Sequence, residues 1–310
     1  MQLLRERGST RIRASLRGVL PAVVTLVLFL GGTALLGLIV QAVTEAHSST
    51  EVLLASIGQF VLYAVLIGVA VWSAATLEHR EYTNFGLTVD GDWMREFAAG
   101  IVITLLGIMV SVWWADVRGI RAVTLTAASI TGPERPLLLG AVFGLFICYF
   151  LLGNIYEEVV YRRIVLGNFV EGLTARGVSP QVAVILATVV SLLLFGVYHI
   201  PLRGNIVVAL DAALTGIPFA LAYLLTDRLA LPVGIHFGRI LIEFLHGRVT
   251  RGEFNVSAIV EITQDTLLAN LEFKLLRIGL TCLGILTWVY LHHGEIQIAK
   301  TVYRRNSDHA

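Results

Sequence analysis

The sequence predicts an all-α, polytopic membrane helix bundle with about eight transmembrane helices, and three observations carry that prediction. Only 15% of the residues are charged, where soluble domains carry about 25%. The mean hydropathy is +0.78. Apolar runs of about 20 residues, the length that crosses a bilayer core, recur along the chain. No polar stretch is long enough for a separate soluble domain. A formal net charge of +1 leaves no electrostatic footprint for nucleic acid, so the expected surroundings are the lipid bilayer alone.

Residues 1–18 form a basic N-terminal segment, with Arg5, Arg7, Arg11, Arg13 and Arg17 against a single Glu6. The apolar run 19–43 is too long for the core of a cleaved signal peptide, so it reads as a retained first span with a cytoplasmic N-terminus. Further spans are expected at about 53–76, 98–115, 137–164, 182–199, 206–226, 229–245 and 275–291. The bundle then occupies 19–293, with 294–310 as a C-terminal tail. An even number of crossings puts both termini on one side, and the Lys and Arg of the connections favour the cytoplasm, in a prokaryotic cell membrane, for that side. Turn signals stand at Asn84-Phe85-Gly86 and Asp90-Gly91-Asp92. Apolar residues at helical spacing over 256–271 predict a helix lying flat on the membrane. Cys148 and Cys282 stand alone in apolar segments and fit neither a disulfide framework nor metal-ligand spacing.

The chemistry concentrates in 157–240. Glu157 and Glu158 follow a long apolar run, where a charged side chain costs about 2.5–3.5 kcal/mol to insert. Charges at a helix end often only mark the membrane–water interface. Helical spacing offers a second account: Arg162 shares a face with Glu158 and can neutralise it, while Glu157 points about 100° away. His199 ends the fifth span and His236 lies in the seventh. A lone histidine in an apolar helix is usually a satisfied core residue, but three ionisable groups on three spans of a charge-poor chain point to a shared wet cavity. A desolvated glutamate can act as general base on water, one imidazole can hold the same water, and a second can donate to the oxyanion of a tetrahedral intermediate. One Glu and two His could equally hold zinc. There is no H-E-x-x-H helix and no G-x-S-x-G elbow. Asp211 in the sixth span is a further intramembrane acid that could line the same cavity.

Glu157-Glu158-x-x-x-Arg162, then Phe195-x-x-x-His199, then a third motif opening at His236 resemble the CPBP family of intramembrane endopeptidases, which includes the type II CAAX prenyl proteases and the bacteriocin-processing Abi proteins. The resemblance implies a catalytic set of Glu157, His199, His236, Glu158 and Arg162. In it Glu157 activates water, His199 assists, Glu158 and Arg162 hold the site in shape, and His236 belongs to the oxyanion site. It implies a membrane-embedded or lipidated peptide or protein as substrate and no required cofactor, with zinc as the alternative. One position departs: where the third motif carries Asn or Asp four residues after its histidine, this chain has Ile240. Arg239, Glu243 or Asn205 are candidate substitutes; otherwise the chain is an inactive member acting as scaffold or immunity protein. A proton-coupled transporter is the remaining alternative, without the inverted repeats such proteins carry. For Glu157 and His199 to meet, the fourth helix must run well past Arg162, to about Glu171.

Overall fold

The structure is a computed structural model that describes residues 11–45, 48–119, 123–125, 130–131, 136–245, 250–251, 254–256, 260–262 and 267–303. Two long apolar helices open the bundle, α1 (Ala14–Val43) and α2 (Ser49–Glu78). The Ser48 hydroxyl starts α2 by accepting from the Glu51 amide at 3.1 Å. Asp90 caps α3 (Gly91–Val117) in the same way, accepting from the Trp93 amide at 2.7 Å. That amide, with Arg228 at 3.0 Å, holds the Asp90 carboxyl below its ordinary range.

The fourth span begins as α4 (Pro136–Glu158), widens into a π-helical stretch (Val159–Leu166) and ends as α5 (Gly167–Thr174). After α6 (Pro180–Tyr198) and the single turn α7 (Ile200–Arg203), the chain returns through α8 (Ile206–Thr215) and α9 (Ile217–Thr226). It climbs again through α10 (Ala230–Leu245) and descends in α11 (Leu267–His293), and a last turn, α12 (Lys300–Tyr303), closes the described chain.

Seven of these spans are long and apolar enough to cross a membrane, α8 and α9 together counting as one. The expected eighth, α10, is shorter, at 16 residues. It is buried along most of its described side chains, so it does not have to match the lipid thickness. Small residues let it approach α3 closely: a Cβ at Gly234 would fall on the Phe97 carbonyl, so no other residue fits there. Both described ends of the chain lie at one end of the bundle. Arg17 of α1 meets Asn168 and Glu171 of α5, and the Ala299 amide donates to the Leu224 carbonyl at the foot of α9 (2.9 Å). An even number of passages is needed for that, and α10 supplies the eighth.

At the opposite end, short antiparallel strands pair between connections. The strand β1 (Val123–Leu125) pairs with β5 (Val260–Ile262), and β4 (Phe254–Val256) lies between β2 (Ile130–Thr131) and β3 (Thr250–Arg251). The surface helix expected over 256–271 is therefore corrected: strand occupies Val260–Ile262 and α11 starts at Leu267. Val260 and Ile262 are β-branched, which suits a paired strand better than a helix.

Candidate active site

The fourth span is one continuous helix of 35 residues, Gly140–Thr174. It therefore runs past Arg162, as a meeting of Glu157 with the histidines requires. Its length exceeds what a bilayer core of about 30 Å needs. Arg163 marks the level of the loop after α2, donating through Nε to the Asn84 carbonyl at 2.6 Å. At 1.5 Å per residue Glu157 lies about 9 Å deeper, and His236 lies about 10 Å above Leu229. The two arrive at a common depth from opposite directions.

Glu158 is the neutralised acid. Its Oε2 lies 3.2 Å from Arg162 Nε, and neither side chain has any solvent exposure. Arg162 also donates through Nη1 to Ser191 Oγ (2.9 Å) and through Nη2 to the Gly216 carbonyl (3.4 Å). Its guanidinium lies over the Phe195 ring, 5.1 Å from the centroid. Ser191 donates in turn to the Tyr161 carbonyl at 2.6 Å. Gly216 is small for a reason: a Cβ there would come within 3.0 Å of Arg162 Nη2.

The second partner of Glu158 is His236, whose Nδ1 lies 3.0 Å from Oε1. A carboxylate paired with arginine only accepts, so His236 Nδ1–H must donate. Its Nε2 then faces Glu157, 3.7 Å from Oε2, too far for a direct hydrogen bond and close enough to share a water. Phe219 stacks on the His236 ring at 4.4 Å, and the edge of Phe195 meets both imidazoles. His199 donates Nδ1–H to the Phe195 carbonyl (2.8 Å), a bond that selects the tautomer with a lone pair on Nε2. Both histidines are buried, 7% and 4% exposed, and neither points at lipid.

A small cleft with a cavity volume of about 20 Å³, room for a water, opens beside them, lined by His199, His236, Phe195, Phe219, Asp211 and Arg239. Asp211 does line this cavity; it is half-exposed and ion-paired with Lys274. Among the described residues, no group of three or more His, Cys, Asp or Glu side chains is arranged to hold a metal ion.

Glu157, Glu158, Arg162 and His236 thus come together, and His199 shares the cleft with His236. Ile240 is packed against Val52, Val142, Phe146 and Tyr149, in an apolar cluster. Of its candidate substitutes, Arg239 reaches the cleft, and Asn205 is used elsewhere, capping α8 through the Val208 amide (3.0 Å). The Glu243 side chain lies outside the described residues. Ser191 and Phe219 were not foreseen from sequence. For Ser191 the signal existed: Ser191, Phe195 and His199 follow at four-residue spacing and share one face of α6.

The bundle thus gathers acid, guanidinium and imidazole groups beside a cleft. Residues 139–239 match the family model described as type II CAAX prenyl endopeptidase Rce1-like, a segment that contains all five expected site residues. The chain is 30% identical over 109 residues to the membrane-embedded CAAX protease MroQ of Staphylococcus aureus (strain USA300), a match covering 33% of this chain and 39% of that protein. The chain thus spans well under half the length of that relative. No solved structure matches. Both matches support the CPBP family of intramembrane proteases for the motif-bearing segment.

Proposed function

We propose that this chain is an intramembrane endopeptidase in which Glu157 activates a water molecule for hydrolysis of a peptide bond. The observation that carries the reading is the unequal treatment of two adjacent acids. Glu158 is committed to Arg162 and to His236, while Glu157 lies 3.7 Å from the Nε2 of that same histidine, a spacing at which one water can hydrogen-bond to both.

Glu157 takes a proton from a water that also donates to an imidazole Nε2, and the water oxygen bonds to the scissile carbonyl carbon. The carbonyl oxygen becomes an oxyanion. Glu157 returns the proton to the leaving nitrogen as the carbon–nitrogen bond breaks, giving an acid and an amine. Glu158, Arg162, Ser191 and Phe195 are positioning residues: they fix the tautomer and orientation of the two rings. The oxyanion role implied for His236 requires its imidazolium form, since the neutral ring presents a lone pair at Nε2. The substrate proposed is a membrane-associated or prenylated, CAAX-type peptide entering through the cleft. In this reading the end of the bundle holding both described chain ends faces the cytoplasm, in a prokaryotic cell membrane.

Ile240 favours a second reading, an inactive member of the family serving as scaffold or immunity protein, because its side chain cannot donate a hydrogen bond. The purified protein in liposomes, given fluorogenic peptides with and without a farnesyl group, separates the two. Cleavage by the wild type and none by Glu157→Gln is the expected outcome. Equal cleavage by both would remove Glu157 from the reaction, and activity in cells that survives Glu157→Gln would favour the scaffold.

A further inference from the structure

Asn154 lies on α4 one turn before the glutamate pair. At 100° per residue, Glu157 and Glu158 fall about 60° and 40° to either side of it, so Asn154 projects between them, one turn deeper. His236 touches both glutamates and therefore lies beneath it on the facing helix. One turn further along α10, Ile240 packs against Val142, Phe146 and Tyr149 of α4. Asn154 thus stands on the α4–α10 seam at a level between His236 and Ile240. It is only 4% exposed, and its Nδ2 has no hydrogen-bond partner among the described residues. A buried amide donor left unpaired is destabilising, so the fold retains one here at a cost.

The Tyr198 hydroxyl is a second buried donor without a described hydrogen-bond partner, whereas the imidazole donors are already used. His236 Nδ1–H is committed to Glu158 and His199 Nδ1–H to the Phe195 carbonyl. Position 240 offers only methyl and methylene groups. We propose that Asn154 donates the hydrogen bond that holds the scissile carbonyl oxygen and its oxyanion, supplying from α4 what a polar residue at 240 would supply from α10. The inference rests on the proteolytic reading and adds a catalytic residue to it.

The test uses the full-length protein in liposomes and the farnesylated fluorogenic peptide, with Asn154→Leu, Glu157→Gln and the double variant Asn154→Leu/Ile240→Asn. Leucine is close to asparagine in shape and removes the unpaired donor, so the Asn154→Leu protein should melt at a temperature no lower than wild type. Its kcat should fall about 10²–10³-fold with KM little changed, as for loss of one oxyanion donor. The double variant should recover at least tenfold of that loss, which a merely structural asparagine would not allow. A kcat within threefold of wild type for Asn154→Leu, beside an inactive Glu157→Gln, overturns this inference alone. So does a lost rate that the Ile240→Asn change leaves unrestored. Wild-type cleavage by Glu157→Gln overturns the proteolytic reading and takes this inference with it.

Discussion

Two buried charge clusters lie on the same long helix, about 20 Å apart along its axis, and they are built differently. At the lower end Glu171 meets Arg17 (2.5 Å), Arg11 (3.4 Å) and Arg80 (3.4 Å). Asn168 accepts from Arg17 Nε (3.2 Å) and donates to Glu78 (2.6 Å), and Glu78 also pairs with Arg80 (3.4 Å). Each carboxylate there has a cation, and the one amide uses both its oxygen and its nitrogen. In the upper cluster Glu158 is closed off by Arg162 and His236. Glu157, however, lies 3.7 Å from His236 Nε2, the Asn154 amide nitrogen one turn away has no described partner, and a small cleft adjoins His199 and His236. The lower cluster matches each carboxylate with a cation, although some guanidinium nitrogens there make no described hydrogen bond, whereas the upper cluster sets Glu157 beside an imidazole.

The contrast can be broken by substitution. The largest effect is expected from Glu157→Gln in the upper cluster. It removes the general base and should lower cleavage at least 10²–10⁴-fold in a peptide assay while the fold persists. In the lower cluster Arg17→Ala removes the nearest cation of the buried Glu171, which keeps Arg11 and Arg80, and should cost about 1.5–3 kcal/mol, read by thermal or denaturant unfolding in detergent. The folded fraction of that variant should keep its kcat.

These two outcomes also measure what the sequence made legible. The Glu158–Arg162 pair followed from four-residue spacing, because both partners lie on one helix. The length of the fourth helix followed from requiring three motifs to meet at one depth. The role of Arg17 did not follow. Among five arginines before an apolar run it reads as an interface charge, and its partner Glu171 lies far along the chain. Nor does α1 respect a boundary at residue 18: it starts at Ala14, so Arg17 lies inside it, with no exposure. Asn154 was equally hidden, because its value depends on the register between α4 and α10, which local periodicity does not encode. The strands at the far end were missed because a helical spacing of apolar residues over 256–271 coincides with β-branched side chains that pair with another connection.

A smaller effect should come from Ser191→Ala. It removes the hydroxyl that Arg162 donates to and that itself donates to the Tyr161 carbonyl, at about 1–3 kcal/mol. Because Arg162 orients Glu158 and, through it, His236, kcat should fall by more than the stability loss explains, measured on folded protein. The smallest is Asn205→Ala at the start of α8. Loss of the cap should cost about 1 kcal/mol in an unfolding experiment and leave kcat unchanged, since that asparagine serves the helix and not the cleft. A loss of rate in this variant would instead return Asn205 to the site.

The central claim is that Glu157 is held for chemistry and not for stability. It is tested most directly by measuring the melting temperature and the cleavage rate of one Glu157→Gln sample beside wild type. A melting temperature at or above that of wild type, together with loss of cleavage, is the predicted result. A variant that unfolds early while its folded fraction cleaves like wild type would contradict it, and would move Glu157 into the class of Glu171.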